Sequence, residues 1–212
     1  MQWTLVIPLK PLTQAKSRLA DTAGDEVRPG LALAFAQDTV AAALACAAVR
    51  DVAVVTDDGL AARELAALGA RIVPDEPRAG LNAALAHAEA AVRTSRPQSP
   101  LAALNADLPA LRPVELARVL DAAAQFPRAF LPDAAAIGTT LLAAGPGRRL
   151  LPAFGPGSRA RHRESGAAEL APDGVDSVRQ DVDTGDDLRA ALALGVGPRT
   201  AAAAARLVMP GQ

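Results

Sequence analysis

The chain has 212 residues, of which half are hydrophobic and 21% are charged, and its formal net charge is -1. This length fits one α/β domain with a full core, and the composition excludes disordered and fibrous proteins. The balanced charge gives no general attraction to DNA, RNA or anionic lipid. With four Phe, one Trp and no Tyr, the chain also lacks the aromatic residues of a single-strand stacking platform. We therefore expect no nucleic-acid or membrane partner.

The sequence predicts a cytoplasmic protein. Its apolar start, MQWTLVIPLK, has no basic leader or small-residue cleavage site, so we expect a first strand there rather than a signal peptide. Arg, Asp and Pro interrupt the Ala-rich runs, so we expect no membrane-spanning helix. The single cysteine, Cys46, lies in an Ala-rich helical run and is expected to be a small buried thiol in a reducing cytosol.

The first half of the chain alternates β-branched runs with runs rich in Ala and Leu. The predicted strands are Trp3–Leu9, Asp51–Thr56, Ala70–Pro74 and Pro100–Ala106. The predicted helices run from about Arg28 to Ala48, from the Asp57-Asp58-Gly59 opening to Leu68, from Asn82 to Arg93, and from Pro113 to Phe126. This alternation predicts a mostly parallel sheet with helices on both faces and right-handed crossovers.

The pattern is looser after Phe126. We predict strands at Arg128–Pro132 and Gly138–Gly145, which could pair antiparallel, then a Gly/Pro loop and a short polar helix. SVRQDV (residues 177–182) is predicted as a last core strand, followed by a helix that Thr184 caps and Gly195 ends. Without an internal repeat or a domain linker, we expect a single domain over 1–212, with its core in 3–194 and a tail at 198–212.

Two aspartates far apart in the chain are the first candidates for chemistry. Asp107 follows the strand PLAALNA in LNADLP, and Asp183 follows SVRQDV in DVDTGDDL. Two carboxylates at the carboxyl ends of strands in one sheet can hold a hard divalent cation, and ligands bind at that edge in open α/β sheets. The alternative is an ordinary Asx turn at Asp107 and a simple helix cap after Asp183.

The loop after the first strand carries three cations, Lys10, Lys16 and Arg18. The chain has neither a Walker A motif nor G-x-G-x-x-G, so phosphate capture there would depend on these side chains and on backbone N–H groups. A solvated basic loop is the alternative interpretation.

A second loop, DEPRAGLN (residues 75–82), runs into a predicted helix. Gly80 would let a base or a ribose approach the backbone, Asn82 could bond a ribose hydroxyl or a base edge, and Asp75 or Glu76 could accept from guanine N–H groups. From these residues alone, Asn82 is better explained as a helix cap.

A third loop, GPGSRARH (residues 155–162), brings glycines to the start of a helix. Ser158 and His162 lie one turn apart on one face, and the arginines favour a small polyanion. Surface arginine on a short helix is the alternative. Gly138, Thr139 and Thr140 could line the same cavity, although threonine is also a common strand residue.

Six segments in this order resemble one family: IPLKPLTQAKSRL, GLNAAL, LNADLPAL, IGTTLL, FGPGSRARH and DVDTGDDL. The family is the 2-phospho-L-lactate or phosphoenolpyruvate guanylyltransferase that starts the side chain of coenzyme F-420. The resemblance runs from Trp3 to Leu194. It implies a single-domain, Rossmann-like α/β nucleotidyltransferase (GT-A-like) fold with a mixed sheet of about seven strands, similar to molybdenum-cofactor guanylyltransferases.

The resemblance also implies roles for particular residues. Mg²⁺ would be held by Asp107 and Asp183, and the phospho-acid would contact Thr140, Gly155 and Ser158. The GTP-binding residues would be Lys10, Lys16, Gly80, Leu81 and Asn82, and the catalytic residues would be Lys16, Arg18 and Asp107.

The implied reaction transfers GMP from GTP to the phosphate of a small phospho-carboxylic acid and releases pyrophosphate. Phosphoenolpyruvate is the expected acceptor, because the Ala- and Arg-rich composition is typical of high-GC actinobacteria, whose relatives use that acid. The alternatives are 2-phospho-L-lactate and 3-phosphoglycerate. Ala134–Ala136 depart from the family pattern and weaken any inference about acceptor choice through this loop, and Arg78 in the nucleoside segment is a second, smaller departure.

Two functions of other classes are the alternatives. A nucleotide-sugar glycosyltransferase would need a D-x-D-like pair at one strand end, where LNADLP offers a single aspartate. A non-enzymatic GTP-binding module would leave the GPGSRARH loop without a role. The sequence is compatible with a monomer or a homodimer.

Overall fold

A computed structural model describes residues 1–16, 19–76 and 78–207, with residues 20–26 described through their backbone alone. Its centre is a seven-stranded sheet in the order β3-β2-β1-β4-β6-β5-β7, in which β6 runs against its neighbours and every other pairing is parallel. The strands are β1 Trp3–Pro8, β2 Val49–Val55, β3 Arg71–Val73, β4 Leu101–Leu104, β5 Arg128–Pro132, β6 Thr139–Ala144 and β7 Ala168–Glu169. The mixed α/β sheet expected from the sequence is confirmed.

Helices cover the sheet on both faces. They are α1 Ala20–Leu44, α2 Gly59–Ala67, α3 Leu81–Ser95, α4 Pro113–Ala123, α5 Ser158–Glu164, α6 Asp176–Arg179, α7 Gly185–Leu194 and α8 Pro198–Ala205, with a 3-10 turn at Leu12–Gln14. None of the described helices has both the length and the apolar character needed to cross a bilayer.

The central strands are buried on both faces, which explains why their sequences are continuously apolar. In β1, Leu5 and Ile7 point into the core beneath α1, α2 and α4, whereas Val6 points into a second core beneath α3. The first core is built mainly of alanine, leucine and valine side chains, and it also contains Trp3, Ile7 and Cys46. This two-sided core fixes the sheet, so the loops at its edge have a rigid support.

The register of β4 and β6 determines which loops meet. Leu101 pairs with Ala144 and Leu104 with Leu141, so the start of β6 lies beside the end of β4. The backbone N–H of Asn105 continues the ladder by donating to the Thr140 carbonyl at 3.0 Å. As a result, the Gly138–Thr140 segment and Asp107 reach the same edge of the sheet.

Two predictions about elements are wrong, and one strand was not predicted. SVRQDV is not a strand: α6 occupies Asp176–Arg179, and an irregular segment leads on to Asp183. α1 begins at Ala20 instead of about Arg28 and contains Pro29. β7, with only two residues, has no counterpart in the prediction.

Candidate active site

The site is a cleft at the carboxyl edge of β1 and β4. It has two adjoining lobes, of about 540 Å³ and 630 Å³. The residues that line both lobes, and so form the boundary between them, are Pro8, Leu9, Lys10, Gln14 and Leu81. The cleft wall therefore includes three residues predicted to bind the nucleotide. Lys10 and Leu81 line both lobes, and Gly80 lines only the first.

Two carboxylates and a guanidinium line the first lobe. Asp57 and Asp75 follow β2 and β3, and Asp57 Oδ1 accepts from the backbone N–H of Asp75 at 3.1 Å. Arg78 Nε donates to Asp57 Oδ2 at 2.8 Å. The lobe therefore offers hydrogen-bond acceptors beside a cation, groups that suit a polar heterocycle with N–H donors.

At the centre of the second lobe, Lys16 joins the two aspartates that the sequence singled out. Its Nζ donates to Asp107 Oδ2, and to Asp183 Oδ1 at 2.8 Å. The Lys16 side chain is only 10% exposed. Residues from three distant parts of the chain therefore converge on one nitrogen, which brings Asp107 and Asp183 within reach of a common cation.

The electrostatics of this group follow from burial and close charges. Burial by itself lowers the pKa of the Lys16 ammonium, but the carboxylates of Asp107 and Asp183 outweigh it and raise that pKa above its ordinary value. A further carboxylate, Asp181, lines the same lobe. Its burial, reinforced by Asp107, Asp183 and Asp133, raises the pKa of Asp181 well above the usual range, while Lys16 opposes the shift.

The donor set fits a hard divalent cation. Asp107 Oδ1 is buried and has no hydrogen-bond partner among the described residues, so one oxygen of the carboxylate remains for a ligand. Carboxylate oxygens are the ligands that Mg²⁺ and Mn²⁺ take up in proteins. The described residues contain no group of three or more His, Cys, Asp or Glu side chains in metal-binding arrangement, so other oxygens, from substrate or water, would have to complete the coordination.

Backbone contacts hold the two aspartate loops together. The N–H of Val182 donates to the Asp107 carbonyl at 3.1 Å. Beyond Asp183, Thr184 and Asp187 form a capping box at the start of α7, and Asp187 Oδ2 also accepts from the backbone N–H of Asp183 at 3.1 Å. The cap predicted at Thr184 is therefore confirmed, and it fixes the backbone of the carboxylate beside it.

The opposite wall of the second lobe comes from the turn before β6 and the loop before α5. Gly138, Thr139, Gly155 and Ser158 line it. Gly155 has φ +115°, a conformation that favours glycine. Asp133 accepts from the backbone N–H groups of Ile137 at 2.9 Å and Gly138 at 2.7 Å, which fixes the turn.

The placement of Thr140 differs from that expected for a residue that contacts the phospho-acid. Thr139 lines the cleft, whereas the Thr140 side chain is fully buried away from the lining and its hydroxyl has no partner among the described residues. Successive residues of a strand point to opposite faces, so only one of the two threonines can face the cleft. The structure assigns that position to Thr139.

The side chain of Asn82 is also used differently from the prediction. Its Oδ1 accepts from the Phe154 N–H at 2.8 Å, and its Nδ2 donates to the Phe154 carbonyl at 3.1 Å. Gly80, not Asn82, occupies the N-cap position of α3. Both ends of the amide thereby bond the residue before Gly155, so Asn82 ties the α3 start to the opposite loop, and its predicted contact with the nucleotide stays a prediction.

Sequence reasoning assigned no role to Asp133 or Asp181 and favoured a simple strand role for Thr139. The DVD spacing in DVDTGDDL was the available signal for Asp181, since alternate residues of an extended segment share a face. The sequence contains no comparable signal for Asp133, because only the folded turn brings its carboxylate to the backbone amides of residues 137 and 138. Arg18, predicted to be catalytic, lies outside the described residues.

Curated relatives resemble the chain over its whole length. The phosphoenolpyruvate guanylyltransferase of Streptomyces avermitilis is 82% identical over 211 residues, which cover 100% of this chain and 98% of that protein. The protein of the same name from Streptomyces coelicolor is 77% identical over 212 residues, with 100% of both chains covered.

Solved structures share the fold at low identity. A nucleotidyl transferase from Methanothermobacter thermautotrophicus has a TM-score of 0.62 and 19% identity, over 91% of this chain and 97% of its own. A Mycobacterium tuberculosis protein in complex with manganese has a TM-score of 0.54 and 22% identity, over 91% and 99%. The family model described as "Guanylyl transferase CofC like" matches residues 3–201, and the chain belongs to this nucleotidyltransferase family.

Proposed function

We propose that this protein transfers GMP from GTP to the phosphate of phosphoenolpyruvate and releases pyrophosphate. The observation that carries the proposal is the convergence of Lys16, Asp107 and Asp183 in the second lobe of a two-lobed cleft. The names of the relatives support the acceptor. The product would serve coenzyme F-420 synthesis, as the resemblance of the sequence motifs implies.

In this proposal the first lobe holds the nucleoside and the second holds the acceptor. Asp57 and Asp75 supply acceptors for guanine N–H groups, and Gly80 and Leu81 lie beside the ribose. Thr139, Gly155 and Ser158 contact the phospho-acid. Lys10, on the boundary between the lobes, attracts the triphosphate, and the predicted role of Arg18 stays a prediction.

The chain's own groups account for the proton balance of this reaction. A phosphate monoester is already anionic at neutral pH, so its oxygen can attack the α-phosphorus of GTP without a strong general base. The pyrophosphate that leaves takes the electrons of the broken P–O bond. The cleft must therefore orient two polyanions and offset their repulsion, and we assign part of this role to the Lys16 ammonium.

We further propose that Asp107 and Asp183 hold Mg²⁺, which would supply charge neutralisation and orientation of the phosphates. The unpartnered Oδ1 of Asp107 is the feature of this structure that supports the site. Lys16 already contacts both carboxylates, so its ammonium limits their mutual repulsion and keeps them directed at one point.

The test of the acceptor is direct. Phosphoenolpyruvate, 2-phospho-L-lactate and 3-phosphoglycerate are incubated separately with GTP, Mg²⁺ and the protein, and pyrophosphate release is followed. We expect the highest kcat/KM with phosphoenolpyruvate. Because the three acids differ by a double bond or a small substituent, discrimination of about 1–3 kcal/mol is expected, roughly 10- to 150-fold. A higher kcat/KM with one of the other acids would overturn the choice of acceptor and leave the reaction class intact.

The test of the site uses Asp107→Asn. Turnover should fall by roughly 10²- to 10³-fold, the usual effect of losing one group that stabilises transition-state charge. Asp186→Asn is the matched control, because Asp186 lies near Asp183 in sequence but is 80% exposed and pairs with Arg189 on the surface. The control should keep full activity, and wild-type turnover in Asp107→Asn would refute the site.

A further inference from the structure

His162 lies behind the wall of the second lobe that the turn before β6 and the loop before α5 form. Its ring forms hydrogen bonds with both of these segments. Its side chain is fully buried, and the ring packs at 5.8 Å from Phe130 and edge-on at 5.0 Å from Phe154, measured between centroids. Nε2 is 3.0 Å from the backbone nitrogen of Ala153, and Nδ1 is 2.9 Å from Thr139 Oγ1. One imidazole therefore joins the loop before Gly155 to the cleft-facing threonine.

These two contacts determine which nitrogen carries the hydrogen. A backbone N–H can only donate, so Nε2 must accept from Ala153 and has no hydrogen of its own. Burial, followed by the charges of Arg128 and Arg161, lowers the pKa of His162 to about 4, so the ring is neutral at neutral pH. The single ring hydrogen is therefore on Nδ1, and it is donated to Thr139 Oγ1.

The direction of this hydrogen bond determines whether the Thr139 hydroxyl can act as a hydrogen-bond donor in the cleft. Because Oγ1 accepts from His162, the hydroxyl hydrogen must point elsewhere, and no second partner of that hydroxyl is found in the part of the chain that the structure describes. Thr139 itself lines the acceptor lobe. An oxygen that accepts a hydrogen bond also becomes a better donor through polarisation.

We infer that His162 is a positioning residue that fixes the Thr139 hydroxyl as a hydrogen-bond donor toward the anionic acceptor. It does so from behind the wall, without touching substrate. The identity of the anion rests on the proposed function, but the direction of the hydrogen bond does not. His162 also holds Ala153, so the same ring sets the position of the Gly155 loop relative to Thr139.

The tautomer can be measured without any substrate. The chain has two histidines, so His87→Gln leaves His162 as the only imidazole. In ¹⁵N-labelled protein at pH 7, two-bond ¹H–¹⁵N correlation spectra should show Nδ1 protonated and Nε2 unprotonated. A hydrogen on Nε2, or a doubly protonated ring, would overturn the inference whatever the acceptor is.

Kinetics test the consequence for substrate. His162→Gln can still accept from Ala153 through its longer side chain, but it has no donor at the Nδ1 position. His162→Asn places an N–H near that position and loses the contact with Ala153. We expect KM for phosphoenolpyruvate to rise about 2- to 10-fold in His162→Gln and by a smaller factor in His162→Asn, which keeps the donor to Thr139 but loses the Ala153 contact, with KM for GTP unchanged in both.

A double-mutant cycle separates positioning from general damage. Thr139→Val keeps the shape of the side chain and removes the hydroxyl, and should raise KM for phosphoenolpyruvate roughly 10- to 100-fold. Adding His162→Gln to Thr139→Val should have no further effect, because the group that His162 directs is absent. An equal, additional rise in the double variant would overturn the positioning role. Absence of turnover with phosphoenolpyruvate in the wild type would instead defeat the proposed function.

Discussion

At the scale of single residues, the side-chain amide of Asn82 joins the two sides of the cleft. Its side chain forms two hydrogen bonds with the backbone N–H and C=O of Phe154, a residue 72 positions away in the chain. The α3 start, with Gly80 and Leu81, faces the first lobe, whereas Phe154 leads directly to Gly155 in the second. Asn82 therefore relates the position of the first lobe's wall to that of the second.

We predict that Asn82→Ala raises KM for phosphoenolpyruvate and leaves KM for GTP within about twofold. It should also lower the free energy of unfolding by about 1–3 kcal/mol, since two part-buried hydrogen bonds are lost. Steady-state kinetics and urea unfolding check both effects. Asn82→Asp keeps the acceptor for the Phe154 N–H and loses the donor. Its KM for phosphoenolpyruvate and its free energy of unfolding should therefore lie between those of the wild type and Asn82→Ala. A rise in KM for GTP alone would restore the nucleotide contact first predicted for Asn82.

The buried imidazole of His162 makes stability depend on pH. Burial and then Arg128 and Arg161 lower its pKa to about 4 from 6.5, so the unfolded chain binds this proton more readily than the folded one. The stabilising effect is therefore complete above pH 6.5 and is lost as the pH falls toward 4.

We predict that the wild-type protein loses up to about 3 kcal/mol of unfolding free energy from this residue between pH 7 and pH 4. His162→Asn should lose correspondingly less over the same range. Urea unfolding of both proteins at several pH values measures the difference. His87→Asn, which keeps His162, serves as the control and should follow the wild type. An equal dependence of the unfolding free energy on pH in His162→Asn and the wild type would contradict the prediction.

At the scale of elements, the start of α7 links helix capping to the site. Asp187 accepts from the backbone N–H groups of Asp183 and Thr184, at 3.1 and 2.8 Å, and so holds the segment that carries the Asp183 carboxylate. Another carboxylate, Asp38 of α1, is buried outside the cleft lining and accepts from the N–H of Thr200 at 2.7 Å at the start of α8. The two carboxylates form a natural comparison.

We predict that Asp187→Ala and Asp38→Ala each lower the free energy of unfolding by about 1–2 kcal/mol, because each removes a helix cap. Only Asp187→Ala should also lower kcat, since only it loosens Asp183. Urea unfolding and pyrophosphate release measure the two effects. Equal activity in the two variants would mean that the cap has no part in placing Asp183.

The elements that the sequence predicted well are those with long, distinct patterns. The strands at β1, β2 and β5 and the helices α3, α4 and α7 follow their apolar periodicity and their caps. SVRQDV misled because a six-residue segment with two buried valines fits a strand, whereas Glu115 Oε2 accepts from the Ser177 N–H and supports a turn of helix there. The start of α1 was missed because Gly and Pro residues in ADTAGDEVRPG are typical of a loop.

At the scale of the whole molecule, the site combines what sequence motifs can and cannot predict. Asp107, Asp183 and Lys16 were each recognisable from their motifs, and the structure brings them together. The choice between Thr139 and Thr140 was not recognisable, because it depends on the strand register at the start of β6. The role of Asn82 depends equally on tertiary packing, since its partner lies in another loop.

Metal binding should be visible in the stability of the entire protein. A ligand that binds only the folded state stabilises it by about 2.7 kcal/mol at 100 times its Kd, which for a chain of this size raises Tm by about 5–10 °C. We predict such a shift with Mg²⁺ or Mn²⁺ after EDTA treatment, measured by differential scanning fluorimetry. Asp107→Asn should lose the shift and Asp186→Asn should keep it. An undiminished shift in Asp107→Asn would place the cation elsewhere.

The convergence of residues 16, 107 and 183 has a consequence for translation of the chain. Lys16 leaves the ribosome early, whereas Asp183 is added only after most of the chain has been translated. A nascent or prematurely terminated polypeptide that stops before Asp183 lacks one of the three charges and cannot assemble this group. Under the proposed function, interrupted synthesis would therefore release no partly active enzyme into the cell.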